Sequence, residues 1–147
     1  MRKVISLLII VLGIVADQLM KAWVMLHIPE NGEKKLIPGI FALTHETNNG
    51  AAWSSLQGQQ WFFLILTPIV LVIAIIFLWR KIKQNWYLVG LSLIIAGALG
   101  NFIDRVRLGY VVDMFETLFV NFPIFNVADS LLTVGFICLL VAILHEN

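Results

Sequence analysis

The sequence predicts an all-α membrane protein: four transmembrane helices, with a small extracytoplasmic β-rich segment between helices 1 and 2. Three observations predict it. The 147 residues are 60% hydrophobic and 13% charged, where soluble domains carry about 25% charged residues, and the mean hydropathy is +0.92. Four apolar stretches approach the roughly 20 residues a helix needs to cross a bilayer. Finally, the run Leu36-Ile37-Pro38-Gly39-Ile40-Phe41-Ala42-Leu43-Thr44 is apolar and β-prone, with Pro and Gly as punctuation.

The first apolar stretch runs from about Val4 to Leu26 and is interrupted by Asp17 and Lys21. Arg2 and Lys3 give it the look of a signal peptide. It lacks a small-x-small cleavage site before the next polar segment and three more spans follow, so we expect a retained helix. Residues 28–60 form the β-prone segment, a short sheet or hairpin at the membrane surface. The second stretch, Trp61 to Trp79, has no charge and a Trp at each end, as interfacial anchors would. Pro68 is tolerated inside a membrane helix. The third stretch runs from Trp86 to about Arg105, an outer loop covers 106–123, and the fourth runs from about Ile124 to Leu144. The chain is thus expected to be a single integral membrane domain over 1–147. Cys138 is alone and cannot form an intrachain disulfide; it reads as a small buried hydrophobe.

Arg2 and Lys3 at the start, and Arg80, Lys81 and Lys83 between spans two and three, belong on one side. The positive-inside rule makes that side cytoplasmic, with both termini there. A net charge of +1 and the lack of a basic stripe exclude nucleic acid as a partner. With this topology the polar residues of the spans gather near one margin. Asp17 lies roughly 20 Å along the first helix from Val4, and Lys21 follows at i+4, a spacing suited to an ion pair. Gly97, Asn101 and Asp104 share a face of span three, with Ala96 and Gly100 beside it to allow close packing. Asn126 and Asp129, three apart, share a face in the first turns of span four, with Thr133 one turn deeper. Every membrane acid except Glu146 falls at or near the outer margin. Charges near hydrocarbon are costly, and a chain that keeps several on one level is expected to use them.

Each residue also has a plainer explanation. Asp17 and Lys21 suit a structural ion pair, Asp104 and Arg105 a helix-end cap and a headgroup anchor, and Asn101 and Asn126 interhelical hydrogen bonding. Asn48-Asn49-Gly50 suits a turn. His27 and His45 match no zinc pattern. Asp113 stands apart, because a solvated loop acid needs no apolar lead-in such as Val111-Val112.

Taken together, the polar residues resemble the bacterial lipoprotein signal peptidases, the type II signal peptidase family. The resemblance is carried by Asp17-x-x-x-Lys21, Asn48-x-Gly50-Ala51-Ala52 and Gly97-Ala98-x-Gly100-Asn101-x-x-Asp104-Arg105. Gly109-x-Val111-Val112-Asp113 and Phe125-Asn126-x-Ala128-Asp129 complete it. Five motifs in the right order cover nearly the whole chain. Trp53 departs from the Phe frequent after the two alanines, and the segment between the two aspartates is short. The resemblance implies that Asp113 and Asp129 are a catalytic aspartate pair. It implies that Asn48, Gly50, Asn101, Arg105 and Asn126 line or brace the site, and that Asp17, Lys21 and Asp104 support it. It further implies an intramembrane aspartyl endopeptidase that removes signal peptides from diacylglyceryl-modified prolipoproteins, cleaving before the lipid-modified cysteine. Its setting would be the bacterial cytoplasmic membrane, its active site near the outer face. Prolipoprotein and membrane lipids are then the expected partners, with no metal or organic cofactor, and the chain is expected to act as a monomer.

Two other classes compete on the residues alone. A small proton- or ion-coupled transporter would also keep membrane carboxylates, although such sites favour the midplane between repeats. A structural or assembly factor would use its polar residues only to hold helices together. Convergence of Asp113 and Asp129 separates the peptidase from both.

Overall fold

The computed structural model describes residues 1–50 and 57–145. The chain runs α1 (Arg2–His27), β1 (Glu33–Ile37), β2 (Phe41–Asn48), α2 (Gln60–Lys81), α3 (Asn85–Arg107), β3 (Val111–Thr117) and α4 (Val127–Leu144). All four helices are long and apolar enough to cross a membrane. The expectations on Ala51, Ala52, Trp53 and Glu146 fall outside the described residues.

α3 is the central helix. It packs against α1, α2 and α4 and is mostly buried, whereas the other three turn most of their length outward. Its small residues explain why. A Cβ at Gly90 would lie 2.9 Å from the Gly135 carbonyl oxygen, and one at Gly135 would lie 2.7 Å from that of Gly90. A Cβ at Gly97 would run into the Ala128 carbonyl oxygen, and one at Gly100 would lie 2.6 Å from Asp17 Oδ2. Backbones that approach this closely gain dispersion contacts, which drive association where lipid removes the hydrophobic advantage. Ser92 adds a polar link: its hydroxyl donates to Leu88 O at 2.6 Å, which leaves Ser6 as the donor in the 2.7 Å Ser6–Ser92 bond.

The helices carry large apolar side chains outward, among them Leu12, Leu19, Ile65, Phe136 and Ile143. In water these would be a liability; against lipid they are the solvated face. At one end Arg2 donates to Asn85 Oδ1 at 2.9 Å and ties the start of α1 to the α2–α3 turn. The sheet closes the other end, where Leu43, Val112 and Met114 bury against Val24 and Ile28.

The sheet is antiparallel in the order β1-β2-β3. β1 and β2 form the expected hairpin. Its turn, Ile37–Ile40, has Pro38 second, Gly39 third at φ +74 and an Ile40 N–H bond to Ile37 O, the signature of a type II turn. The third strand lies where a loop was expected, within 106–123. Val111-Val112 is a buried β-branched pair with no alternation, so it reads as apolar lead-in; only its partner β2, remote in sequence, makes it a strand. The last helix begins at Val127 rather than about Ile124. Phe125 is held extended by pairing with Phe115, and Asn126 caps the helix instead of lying in its first turn.

Gly97→Ala should drive a methyl group into the α4 backbone and cost roughly 1–3 kcal/mol. A lowered unfolding temperature of the purified protein in detergent checks this, and an unchanged one would mean that α3 and α4 have room to spare.

Candidate active site

β2 ends in Asn48, β3 presents Asp113, and α4 opens with Asn126 and Asp129; the bulge between Leu43 and Glu46 sets the register that leaves Asn48 opposite Val111. Asp113 Oδ2 accepts from Asn48 Nδ2 at 2.8 Å, and its Oδ1 accepts from Asn126 Nδ2 at 2.6 Å. Asp129 Oδ1 accepts from Asn101 Nδ2 at 2.8 Å, and its Oδ2 accepts from the Asn126 backbone N–H at 3.1 Å. The two carboxyls therefore converge on one residue: Asn126 donates to Asp113 with its side chain and to Asp129 with its main chain.

The same Asn126 accepts the Asp129 N–H at 2.9 Å, completing a capping box. The box orients Asp129 at the start of α4, where the helix dipole favours negative charge. Asn101 Oδ1 accepts from Asn126 Nδ2 at 3.1 Å and from Lys21 Nζ at 3.0 Å.

Behind the carboxyls lies a buried charge cluster. Lys21 meets Asp17 Oδ2 at 2.9 Å and Asp104 Oδ2 at 2.7 Å, and all three side chains are at least 97% buried. Burying ions is costly unless every lone pair is met. Here Asp17 Oδ1 takes the Ala128 N–H at 2.9 Å, and Asp104 Oδ1 takes Gln18 Nε2 at 2.9 Å. On the other side, Arg105 donates to Gly50 O at 3.1 Å and lies 4.4 Å from the centre of the Phe63 ring, a cation–π contact. Gly50 N–H bonds Asn48 Oδ1 at 2.9 Å, so the expected Asn-Asn-Gly turn exists and also serves the site.

All ten residues expected at the site, Asp17, Lys21, Asn48, Gly50, Asn101, Asp104, Arg105, Asp113, Asn126 and Asp129, join one continuous hydrogen-bonded network. Sequence reasoning missed Gln18, which donates to Asp17, Asp104 and the Gly100 carbonyl; a lone Gln beside a charged residue gives no signal. It also missed Phe63, which cannot be told from lipid-facing Phe without its arginine. Thr133 spends its hydroxyl on Asp129 O. His45 Nδ1 lies 2.9 Å from Ile28 O, where it donates and holds the sheet to the end of α1. Among the described residues, no three His, Cys, Asp or Glu side chains gather as a metal site would need.

Asp113 and Asp129 line one cavity of about 780 Å³ between α2 and α4 with α3 behind it. Its polar end holds the carboxyls, Asn101 and Arg105. Its other end is apolar, walled by Leu66, Val70, Leu132 and Val134.

The profile of the family described as signal peptidase (SPase) II, Peptidase_A8, matches residues 9–145. The chain belongs to the signal peptidase II family. It is 64% identical over its full length to the lipoprotein signal peptidase of Lactococcus lactis subsp. lactis strain IL1403, covering 98% of that protein. It is 54% identical over its full length to that of Streptococcus agalactiae serotype Ia, covering 96%. A solved bacterial membrane enzyme, determined in meso at 2.3 Å, superposes with a TM-score of 0.91 at 40% identity over 96% of this chain and 88% of its own. Another, at 1.9 Å, gives 0.83 at 38% identity over 97% and 94%. Membership makes the protein a bacterial membrane enzyme and an aspartic peptidase, which removes the transporter and assembly-factor alternatives.

Burial, and then the charge of Asp129, push the Asp113 carboxyl of this signal peptidase II member up from 3.8 to about 7; Asn48, Asn126 and Lys21 act in the other direction. Folding thus favours the protonated form. Between pH 3.8 and about 7 the folded state holds a proton that the unfolded state has released, so stability falls as pH rises through this window. The loss is on the order of 4 kcal/mol when complete. The difference in unfolding temperature between Asp113→Asn and the parent should therefore shift in the mutant's favour from pH 4 to pH 8. A pH-independent difference would show that Asp113 titrates as an ordinary carboxyl.

Proposed function

We propose that Asp113 and Asp129 are the catalytic pair, and that they cleave the signal peptide from prolipoproteins just before a cysteine bearing a diacylglyceryl group. The observation that carries the reading is the shared grip of Asn126 on both carboxyls at the polar end of a cavity whose other end is apolar. Such a cavity suits a substrate that is peptide at one end and lipid at the other.

In the proposed step Asp129 is the ionised member, because the start of α4 and two N–H donors favour its charge. Asp113 holds the proton. Water attacks the scissile carbonyl carbon and gives a proton to Asp129, while Asp113 gives its proton to the carbonyl oxygen. The tetrahedral intermediate then collapses: the C–N bond breaks, the leaving amine takes the proton from Asp129, and a hydroxyl of the former carbonyl returns one to Asp113. The carboxyls end as they began. Arg105 and the amides of Asn48 and Asn101 frame the peptide. No metal or organic cofactor enters the step.

The sheet end, with the site beside it, faces the outside in this reading, because Arg2, Lys3, Arg80, Lys81 and Lys83 cluster towards the opposite end. Both termini are then cytoplasmic. The acyl chains stay at bilayer depth along α2 and α4 while the peptide lies at the headgroup level. One chain supplies both aspartates, so the monomer suffices.

Asp113→Asn and Asp129→Asn should each lower cleavage of a diacylglyceryl-modified precursor in reconstituted vesicles by at least about 100-fold, with the protein still inserted. Activity of the parent should also decline on the alkaline side through about pH 7, as Asp113 loses its proton. Substantial cleavage by either mutant would sink the pair.

A further inference from the structure

Among the described residues Lys21 is the largest fully buried side chain, 1% exposed. An ammonium has three N–H donors and no acceptor. Two donors go to Asp17 and Asp104, and an ion pair for helix packing would need no more. The third goes to Asn101 Oδ1 at 3.0 Å. The oxygen and nitrogen of a carboxamide have nearly the same shape, so its direction is set by its partners. Lys21 only donates, and Asn126 Nδ2 donates to the same atom. That atom must be the oxygen, which commits the Asn101 nitrogen to the opposite side, 2.8 Å from Asp129 Oδ1.

We propose that Lys21 is a positioning residue of the peptidase: by holding the Asn101 carboxamide oxygen it keeps an N–H aimed at Asp129 and so selects Asp129 as the charged member of the pair. The inference rests on reading Asp113 and Asp129 as that pair. The ammonium acts through the amide: it polarises the carbonyl, which makes the amide N–H a better donor to a carboxylate. Without it the amide oxygen keeps only the 3.1 Å bond from Asn126 Nδ2, so the carboxamide is held by one donor instead of two and its N–H is a weaker donor to Asp129. Gln18, Ala128 N–H and Val112 N–H also donate to Asp17 and Asp104, which leaves the third N–H of Lys21 to Asn101. The charged groups around this relay are Asp17 and Lys21 from α1, Asp104 and Arg105 from α3, Asp113 from β3 and Asp129 from α4. α2 contributes the uncharged Phe63 against Arg105, and β2 contributes the uncharged Asn48.

The test uses the full chain in lipid nanodiscs and a fluorogenic peptide with a diacylglyceryl cysteine. Lys21→Met is combined with Asp17→Asn and Asp104→Asn, so that no buried carboxylate is left unpaired. Per folded enzyme, kcat should fall about 10–100-fold, as for loss of a supporting hydrogen bond behind a reacting group. KM should change little, and the acid limb of the pH–rate profile should move, because the pair has lost the lysine that held its N–H donor in place. Wild-type kcat with unmoved limbs in the folded triple variant overturns the proposal and leaves Lys21 a packing residue. Should the triple variant not fold, Asn101→Asp decides. Its carboxylate still accepts from Lys21 and Asn126 but offers Asp129 an oxygen, so kcat should fall at least as far, and full activity overturns the proposal. Failure of the catalytic pair itself reads differently, as retained cleavage by Asp113→Asn or Asp129→Asn.

Discussion

The side chain of Asn126 is the constraint on which the site depends. With one amide and one backbone N–H it caps α4, binds Asp113, binds Asp129 and meets Asn101. These duties are not separable. The capping box exists only if Asp129 reaches back to the Asn126 backbone, and that reach aims the carboxyl at the cavity. The amide can meet Asp113 only if β3 passes beside the start of α4, which the pairing of Phe115 with Phe125 enforces. Helix initiation and the geometry of the two carboxyls are thus one event.

The electrostatics of the cluster follow from its composition. Asp17, Asp104, Asp113 and Asp129 face two cationic side chains, Lys21 and Arg105, in a region largely closed to water. Lys21 answers Asp17 and Asp104 directly, and Arg105 lies towards the cavity with Phe63 under it. A cluster with more acids than bases relieves itself by keeping a proton, and Asp113, raised to about 7, is where it keeps one. The surrounding bilayer makes this arrangement durable, because every polar group must find its partner within the protein. The glycines of α3 provide the room: Gly100 admits the Asp17 carboxylate and Gly97 admits the α4 backbone.

Much of the fold was legible from local pattern. The four apolar stretches announce helices, since lipid leaves the backbone few alternatives, and Pro38-Gly39 announces the hairpin. β3 was not legible, because Val111-Val112-Asp113 has no alternation and too little length to declare a strand without β2. The start of α4 was misread by about three residues for a related reason: Ile124 and Phe125 are apolar enough to extend a helix, and only a distant strand holds them extended. At the site, the spacing of Asp17 with Lys21 correctly placed that pair on one helix face; Asn126 and Asp129 also meet, but through a capping box in which Asn126 is extended, not through a shared face. Gln18 and Phe63 carried no comparable signal.

The sequence by itself determined the solvent, the number of long helices, the family resemblance and the identity of the polar residues, because composition and short periodicities are local properties. It could not decide which atoms of those residues meet. That both carboxyls are gripped by Asn126, and that a lysine from α1 orients an amide of α3 toward an acid of α4, depend on helices far apart in the chain crossing at particular glycines. Such distances follow from backbone approach and side-chain direction, and only the packed tertiary structure sets them.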